Sequence, residues 1–273
     1  MSDRVIILGS GAAPGIPIVA YGWGDCNPHN PKNRRGRAGV YVEYHNTKIL
    51  IDTSADLRNQ LLENDIQTID GVLYTHAHAD HIMGIDDLRA LNYNTGDLFE
   101  GYDKTKSNVL NIYATQDHAD ELHRRFGYVF TDMPPEETTQ RPHLVSNIIE
   151  FFRSFNIGNI KVTPLSFTGH PVPTTGYAFN DGMFVLIPDY KIIPPQTLEY
   201  LQKIDVNVLI MPLTNIKPTM YHAGIEDDLD YIGKIRPDKV YFTHLGPRCD
   251  YDEIMRLTPE NMAPAYDGLE IKL

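Results

Sequence analysis

Cysteine is scarce in this chain. Cys26 and Cys249 are the two present among 273 residues. They are too few for the disulfide framework that staples small secreted domains, so a reducing, cytoplasmic setting is expected. Basic charge is also short: 24 Lys and Arg against 36 Asp and Glu leave a net charge of −12. A protein that coats extended nucleic acid needs a basic footprint, which this balance does not provide. No apolar run approaches a membrane span, and no leader segment precedes the first strand-like run, Val5-Ile6-Ile7-Leu8. Repeats and low-complexity tracts are missing, and no shift in composition marks a domain boundary, so residues 1–273 read as a single domain. The remaining composition, 42% hydrophobic and 22% charged, is that of a globular protein long enough to bury its core without staples.

Short β-rich runs alternate with amphipathic stretches. Val40 to Tyr44 and Lys48 to Asp52 read as a hairpin around His45-Asn46. Ala55 to Asn64 reads as a helix with Leu57, Leu61 and Leu62 on one face, and Gly71 to Thr75 as a buried strand. A short helix is expected over Gly84 to Asn92, a strand over Val109 to Ala114, and a helix from Gln116 capped by Thr115 and ending near Gly127. Residues 128–148, with Met133-Pro134-Pro135 and Arg141-Pro142, read as an exposed loop. Strands follow at Ile160 to Phe167, Thr175 to Phe179 and Met183 to Ile187, with a turn at Asn180-Asp181-Gly182. Two helix–strand pairs come next: Gln196 to Lys203 with Val206 to Met211, and Ile225 to Ile235 with Val240 to Thr243. The last strand is Leu269 to Leu273. The fold class expected is α+β, two sheets with helices outside.

The chemistry is concentrated in Thr75-His76-Ala77-His78-Ala79-Asp80-His81, directly after the apolar run Gly71-Val72-Leu73-Tyr74. Imidazole nitrogens and a carboxylate suit zinc, and also manganese or iron. Alternation sets His76 and His78 on one side of an extended segment, while Asp80 and His81 fall past the bend and can face a second ion. More candidates stand at strand ends: Asp52 after Ile49-Leu50-Ile51, His170 after Phe167, Asp189 after Ile187-Pro188, and His244 after Thr243. Singly, each reads more readily as an ordinary loop residue; together with the first motif they form a set.

That set, in that order, resembles the metallo-β-lactamase superfamily. The resemblance implies an αββα sandwich with a dinuclear metal site on one edge. It implies that His76, His78 and His170 hold one ion, that Asp80, His81 and His244 hold the other, and that Asp189 bridges them. Asp52 is then implied to orient ligands without coordinating. Two divalent ions, zinc or manganese, are the cofactors expected. The flanks narrow the resemblance. Leu8-Gly9-Ser10-Gly11-Ala12-Ala13-Pro14-Gly15, the arginine-rich loop Asn33-Arg34-Arg35-Gly36-Arg37 and the ending Tyr266-Asp267-Gly268-Leu269-Glu270-Ile271 are similar to the PhnP-like cyclic phosphodiesterase branch. That branch binds a third, structural zinc through a cysteine cluster and a histidine three positions past the last metal histidine. Here only Cys26 and His29 remain of the cluster, and Pro247 occupies the distal position, so a third zinc is not expected.

The implied reaction is hydrolysis of a small cyclic or nucleotide-like phosphodiester by a hydroxide held between two metals. Asp80 can take the nucleophile's proton. His222, in Tyr221-His222-Ala223-Gly224, resembles an extra histidine of the branch and is the candidate donor to the leaving oxygen; its plain reading is a residue at a helix start. Arg34, Arg35 and Arg37 are candidates to grip phosphate, against a plain reading as partners of surface acids. His29, His45, His118, His123 and His143 read as surface residues. The same metals can serve hydrolysis of a thioester, lactone or β-lactam, or a non-catalytic carrier. The partner expected is a small phosphodiester; extended nucleic acid and membrane are not, and a homodimer is compatible with the chain.

Overall fold

The computed structural model describes residues 3–92, 109–131 and 141–273. In chain order its strands are β1 (Arg4–Gly9), β2 (Gly39–Tyr44), β3 (Thr47–Ile51), β4 (Gly71–Leu73), β5 (Leu110–Ala114), β6 (Leu144–Ile148), β7 (Phe155–Ile157), β8 (Ile160–Phe167), β9 (Thr174–Phe179), β10 (Phe184–Leu186), β11 (Val208–Pro212), β12 (Lys239–Thr243), β13 (Met262–Pro264) and β14 (Leu269–Lys272). The α-helices are α1 (Leu57–Glu63), α2 (Ala79–Ile82), α3 (Arg89–Asn92), α4 (Gln116–Phe126), α5 (Pro195–Lys203), α6 (Ile225–Ile235) and α7 (Tyr251–Leu257).

The strands form two sheets, ordered β14-β1-β2-β3-β4-β5-β6 and β13-β12-β11-β10-β9-β8-β7. Each is antiparallel on one side and parallel on the other: β3 through β6 pair in parallel, as do β10 through β13. Strands buried on both faces read as unbroken apolar runs, and here the two faces can be told apart by alternation. Val5 and Ile7 enter the layer between the sheets, while Ile6 and Leu8 enter the layer under α1 and α4. In β11, Val208 and Ile210 face the middle layer, and Leu209 and Met211 face α5 and α6. Three apolar layers therefore hold a helix–sheet–sheet–helix sandwich, the expected class.

This topology positions chemistry. β3, β4, β8, β10, β11 and β12 all run out on the same edge, and loops at the carboxyl ends of strands are where such folds assemble sites. Asp52, His76, His170, Asp189, Thr214 and His244 each lie within three residues of one of those ends.

Local departures have physical reasons. Leu62 does not share the buried face of Leu57 and Leu61; it is 64% exposed. The side chain of Thr115 makes no capping hydrogen bond to α4, whose first turn is held from the backbone carbonyl of Thr115 to Ala119 N at 2.9 Å. The loop expected over 128–148 contains β6, a strand at the outer edge of its sheet whose partly exposed residues hide its periodicity. Met133-Pro134-Pro135 lies outside the described residues. His118 is not on the surface: it is buried in α4, and its ring bonds the backbone of Pro173.

Candidate metal centre

Three imidazole nitrogens converge on the first position. His78 Nδ1 lies 3.1 Å from His76 Nε2 and 3.0 Å from His170 Nε2. Zinc–nitrogen bonds near 2.0 Å place neighbouring donors about this far apart around one cation. Beside them a second set forms. Asp80 Oδ2 is 3.4 Å from His81 Nε2 and 3.4 Å from His244 Nε2. Asp189 joins the two, grouped with His76 and His81 and also with His170 and His222, the donor atoms of each group lying within 4.8 Å of one another. The structure thus brings together every residue expected to touch a metal, from four separate strand ends. Among the described residues, the groups able to hold an ion all belong to this one cluster.

The protein fixes which nitrogen faces the centre. Asp52 accepts from the backbone N–H and the hydroxyl of Thr75, both at 2.8 Å. With its proton given to Asp52, Thr75 Oγ1 is left to accept from His76 Nδ1 at 3.0 Å. Asp52 also takes His81 Nδ1 at 2.7 Å. Both rings therefore carry the proton on Nδ1 and turn an Nε2 lone pair inward, because the hydrogen bond on one nitrogen decides the tautomer of the other. The third such contact is Thr214 Oγ1, 3.2 Å from His244 Nδ1. Asp52 and His244 are both held at positive φ, 62° and 52°. Left-handed backbone is costly for residues with a Cβ and persists where the surroundings over-determine it, often at functional sites.

The donors suit a cation electrically. His81 Nε2 and Asp189 Oδ1 are buried with no hydrogen-bond partner, an arrangement that costs free energy unless something else satisfies them. Burial, with neighbouring imidazoles pushing the same way, drives His76 well below the ordinary imidazole range. Burial also lowers His78, and it brings His170 down to about 4. These rings stay neutral, the form that coordinates. Burial opposes ionisation of Asp80 and Asp189, but the facing His244 and His81 outweigh it and hold both carboxyls below their usual range. Burial likewise works against charge on His81, and Asp52 with Asp80 outweighs it, raising that ring. A cation taking Nε2 displaces that proton. The residues fit two divalent ions.

Helix α4 braces this edge from outside. Arg125 Nη1 donates to Ala77 O at 2.9 Å, inside the His-x-His-x-Asp-His segment, while His118 holds Pro173 in the loop that carries His170. His222 does not start a helix: α6 begins three residues later, and Gly224 takes the N-cap position. The His222 ring instead stands 5.0 Å from that of His170, with Nδ1 at 3.4 Å from Thr214 Oγ1. The backbone N–H of His222 donates to Thr219 Oγ1 at 3.1 Å and its backbone carbonyl accepts from Lys191 Nζ at 3.3 Å, so the main chain at this residue is held from both sides.

Within the arginine loop the structure corrects Arg35 alone. The guanidinium of Arg35 is not open to a substrate: it is buried, donating to Cys249 O at 2.8 Å and Asn33 Oδ1 at 2.9 Å. Cys26, the remnant of the cysteine cluster, is buried 3.9 Å from the same group. Arg37 pairs with Asp56 at 3.0 Å and donates to Ala13 O. Arg34 is exposed and lies over the Trp23 ring. Thr75, Thr214 and His118 were not singled out from sequence for the tasks they have here. Thr214 carried a usable signal, since it follows an apolar run at a strand end as the ligands do.

Comparison with known proteins agrees with this architecture. The pattern of the beta-lactamase superfamily domain matches residues 47–245. The chain is 30% identical over 269 residues to an octanoyltransferase of Porphyromonas gingivalis, covering 98% of this chain but 51% of that protein. The chain thus spans about half the length of that relative. A stretch of 57 residues, 20% of each protein, is 37% identical to ribonuclease Z of Methanopyrus kandleri. Among solved structures, a diphosphatase of the PhnP family superposes with a TM-score of 0.84 at 27% identity, covering 100% of this chain and 98% of that one.

Proposed function

Because the chain belongs to the metallo-β-lactamase superfamily, in its PhnP-like branch, we propose that it is a metal-dependent hydrolase that cleaves a small phosphodiester, cyclic or nucleotide-like. The observation that carries this reading is the pair of donor sets sharing Asp189, with His222 beside them and outside both trios expected to hold the metals. Two divalent cations there, zinc or manganese, would neutralise phosphate oxygens and supply water acidified enough to ionise near neutral pH. His76, His78 and His170 would hold one and Asp80, His81 and His244 the other, with Asp189 between. A diester has one charged oxygen to neutralise and one alkoxide to expel, which suits two cations and one proton donor.

The protein's own groups do the rest. Asp52 and Thr75 keep the ligand tautomers fixed, so no reorganisation is needed as charge develops. Asp80 has an ionised carboxylate positioned to accept a proton. Burial lowers His222 below the ordinary imidazole range, which makes its imidazolium a stronger acid; held by Thr219 and Lys191, it would give its Nε2 proton to the leaving oxygen and be left neutral. The acidic surface disfavours extended nucleic acid as substrate, and the two free buried thiols suit a cytoplasmic setting.

A second reading is hydrolysis of a thioester on the same metals; what speaks for acyl chemistry is the name of the octanoyltransferase relative, of whose length this chain matches 51%. An activity screen of metal-loaded protein separates the two. Bis-p-nitrophenyl phosphate and 2′,3′-cyclic nucleotides should be hydrolysed, with little turnover of a phosphomonoester or a β-lactam. A thioester preferred by about tenfold or more would reverse the assignment, since that ratio is more than one kcal/mol in transition-state binding. No turnover of any class with both ions bound would favour a carrier.

A further inference from the structure

We propose that Thr214 is a positioning residue that ties the proton donor to a metal ligand, by accepting the Nδ1–H of His222 and of His244 on one hydroxyl oxygen. This rests on the phosphodiesterase reading above. The hydroxyl sits between the two rings, 3.4 Å from His222 Nδ1 and 3.2 Å from His244 Nδ1. A threonine oxygen has two lone pairs, so it can accept from both rings while its own proton turns elsewhere. His244 needs such an acceptor. Its Nε2 faces Asp80 and the second metal position, so its proton belongs on Nδ1. The nearest carboxylate oxygen, Asp189 Oδ1, lies 3.3 Å away but takes no hydrogen bond. The placement of Thr214 is enforced by packing. A Cβ on Gly246 would stand 2.3 Å from the Thr214 carbonyl oxygen, so only glycine lets the turn after His244 close onto it.

The consequence for His222 is specific. With Nδ1–H engaged by Thr214, Nε2 is the nitrogen that exchanges a proton with substrate. In the step, the Nε2–H bond breaks, an O–H bond forms on the departing alkoxide, and the neutral ring keeps its proton on Nδ1. Without Thr214 the neutral ring is free to place its proton on either nitrogen and to turn, so Nε2 is no longer held toward the leaving oxygen. A stretched, charge-assisted hydrogen bond to the imidazolium would also be lost.

Two measurements on the metal-loaded protein test this. In protein labelled with ¹⁵N-histidine, neutral His222 should show a protonated Nδ1 and an unprotonated Nε2, and Thr214→Val should mix the two forms. In turnover, Thr214→Val should retain both ions and lower kcat about tenfold to a hundredfold on a nucleotide diester with an alkoxide leaving group, the range for a hydrogen bond to a charged group. The loss on a p-nitrophenyl ester, which leaves unaided, should be small. Thr214→Ser should restore both readouts, and in a His222→Ala background Thr214→Val should cost little more. Loss of an ion in Thr214→Val, an equal loss on both substrates, or an Nε2–H tautomer in the wild type would overturn the proposal. A protein that hydrolysed no diester would remove the proposed reaction, yet the nitrogen shifts would still decide the hydrogen bond. Should Thr214→Val fail to fold, the wild-type shifts and Thr214→Ser still decide it.

Discussion

A side chain that donates a proton to a leaving alkoxide must touch the reacting atoms without being consumed by the metals, and the proposed role of His222, whose ring stands beside His170 and whose donor atom groups with His170 and Asp189, rests on that condition. His222→Ala should leave both ions bound, as elemental analysis would show, and lower kcat by about 10²–10⁴, the usual range for general acid catalysis. The loss should shrink on p-nitrophenyl esters. A histidine that only grips phosphate would affect both substrates alike and act mostly through KM. By contrast, His76→Ala or Asp189→Ala should lose metal along with activity, because each offers a donor atom to the cluster. The ligands were legible from sequence because seven titratable residues stood at strand ends in a recognisable order. Thr214 shared their place after an apolar strand but not their titratable chemistry, and His118 was not legible, since a histidine in a helix has no distinguishing neighbour until the chain is folded.

Among elements, strands buried on both faces announced themselves as apolar runs; β8 and α6 have the bounds expected of them. The elements that escaped are short, at an edge, or both. β7 and β13 have three residues each and β13 ends in proline, while β6 exposes most of its length. Helix α7 was missed although Asp250 caps it, accepting from Asp252 N and Glu253 N. That cap belongs to a larger lock. Asp250 Oδ2 also takes Asn33 Nδ2 and Asn27 N, and Arg35 joins Asn33 to Cys249. The loop before β2 is thereby fastened to the turn that follows His244. Arg35→Met should leave Cys249 O and Asn33 Oδ1 without a buried donor and destabilise the fold by roughly 2–4 kcal/mol in urea unfolding, as expected for one partner removed from a buried network. Arg35→Lys should not rescue it, because an ammonium cannot reproduce the two-pronged geometry. Unchanged stability with a raised KM would instead return Arg35 to phosphate binding.

The whole molecule's stability should respond to pH through a group outside the metal donors, Asp228, whose partner Tyr190 follows Asp189 in the chain. Burial raises Asp228 to about 7, against the hydrogen bond it accepts from Tyr190 at 2.5 Å. The folded state therefore binds this proton more tightly than the unfolded state. The contribution is fully present below the unfolded carboxyl range and is lost as pH rises through about 7. Asp228→Asn lacks it. Compared across unfolding curves from about pH 5 to about pH 8, the wild type should lose stability relative to the variant, by up to about 1.4 kcal/mol per pH unit below the folded pKa. Parallel curves would show that the carboxyl stays ionised. The metals act on the same balance. A cation that binds the folded chain and not the unfolded one stabilises by about 4 kcal/mol at a thousandfold excess over its Kd. The donor sets provide for two such ions, and Arg35 stands beside Cys26 in the other loop. Purified protein should therefore carry two ions per chain by elemental analysis. Chelation should lower the urea midpoint, and readdition of zinc or manganese should restore it. Cys26→Ser should leave the count at two. A count of three, falling to two on that substitution, would mean that Cys26 still holds a metal and that Arg35 shares its loop with a cation.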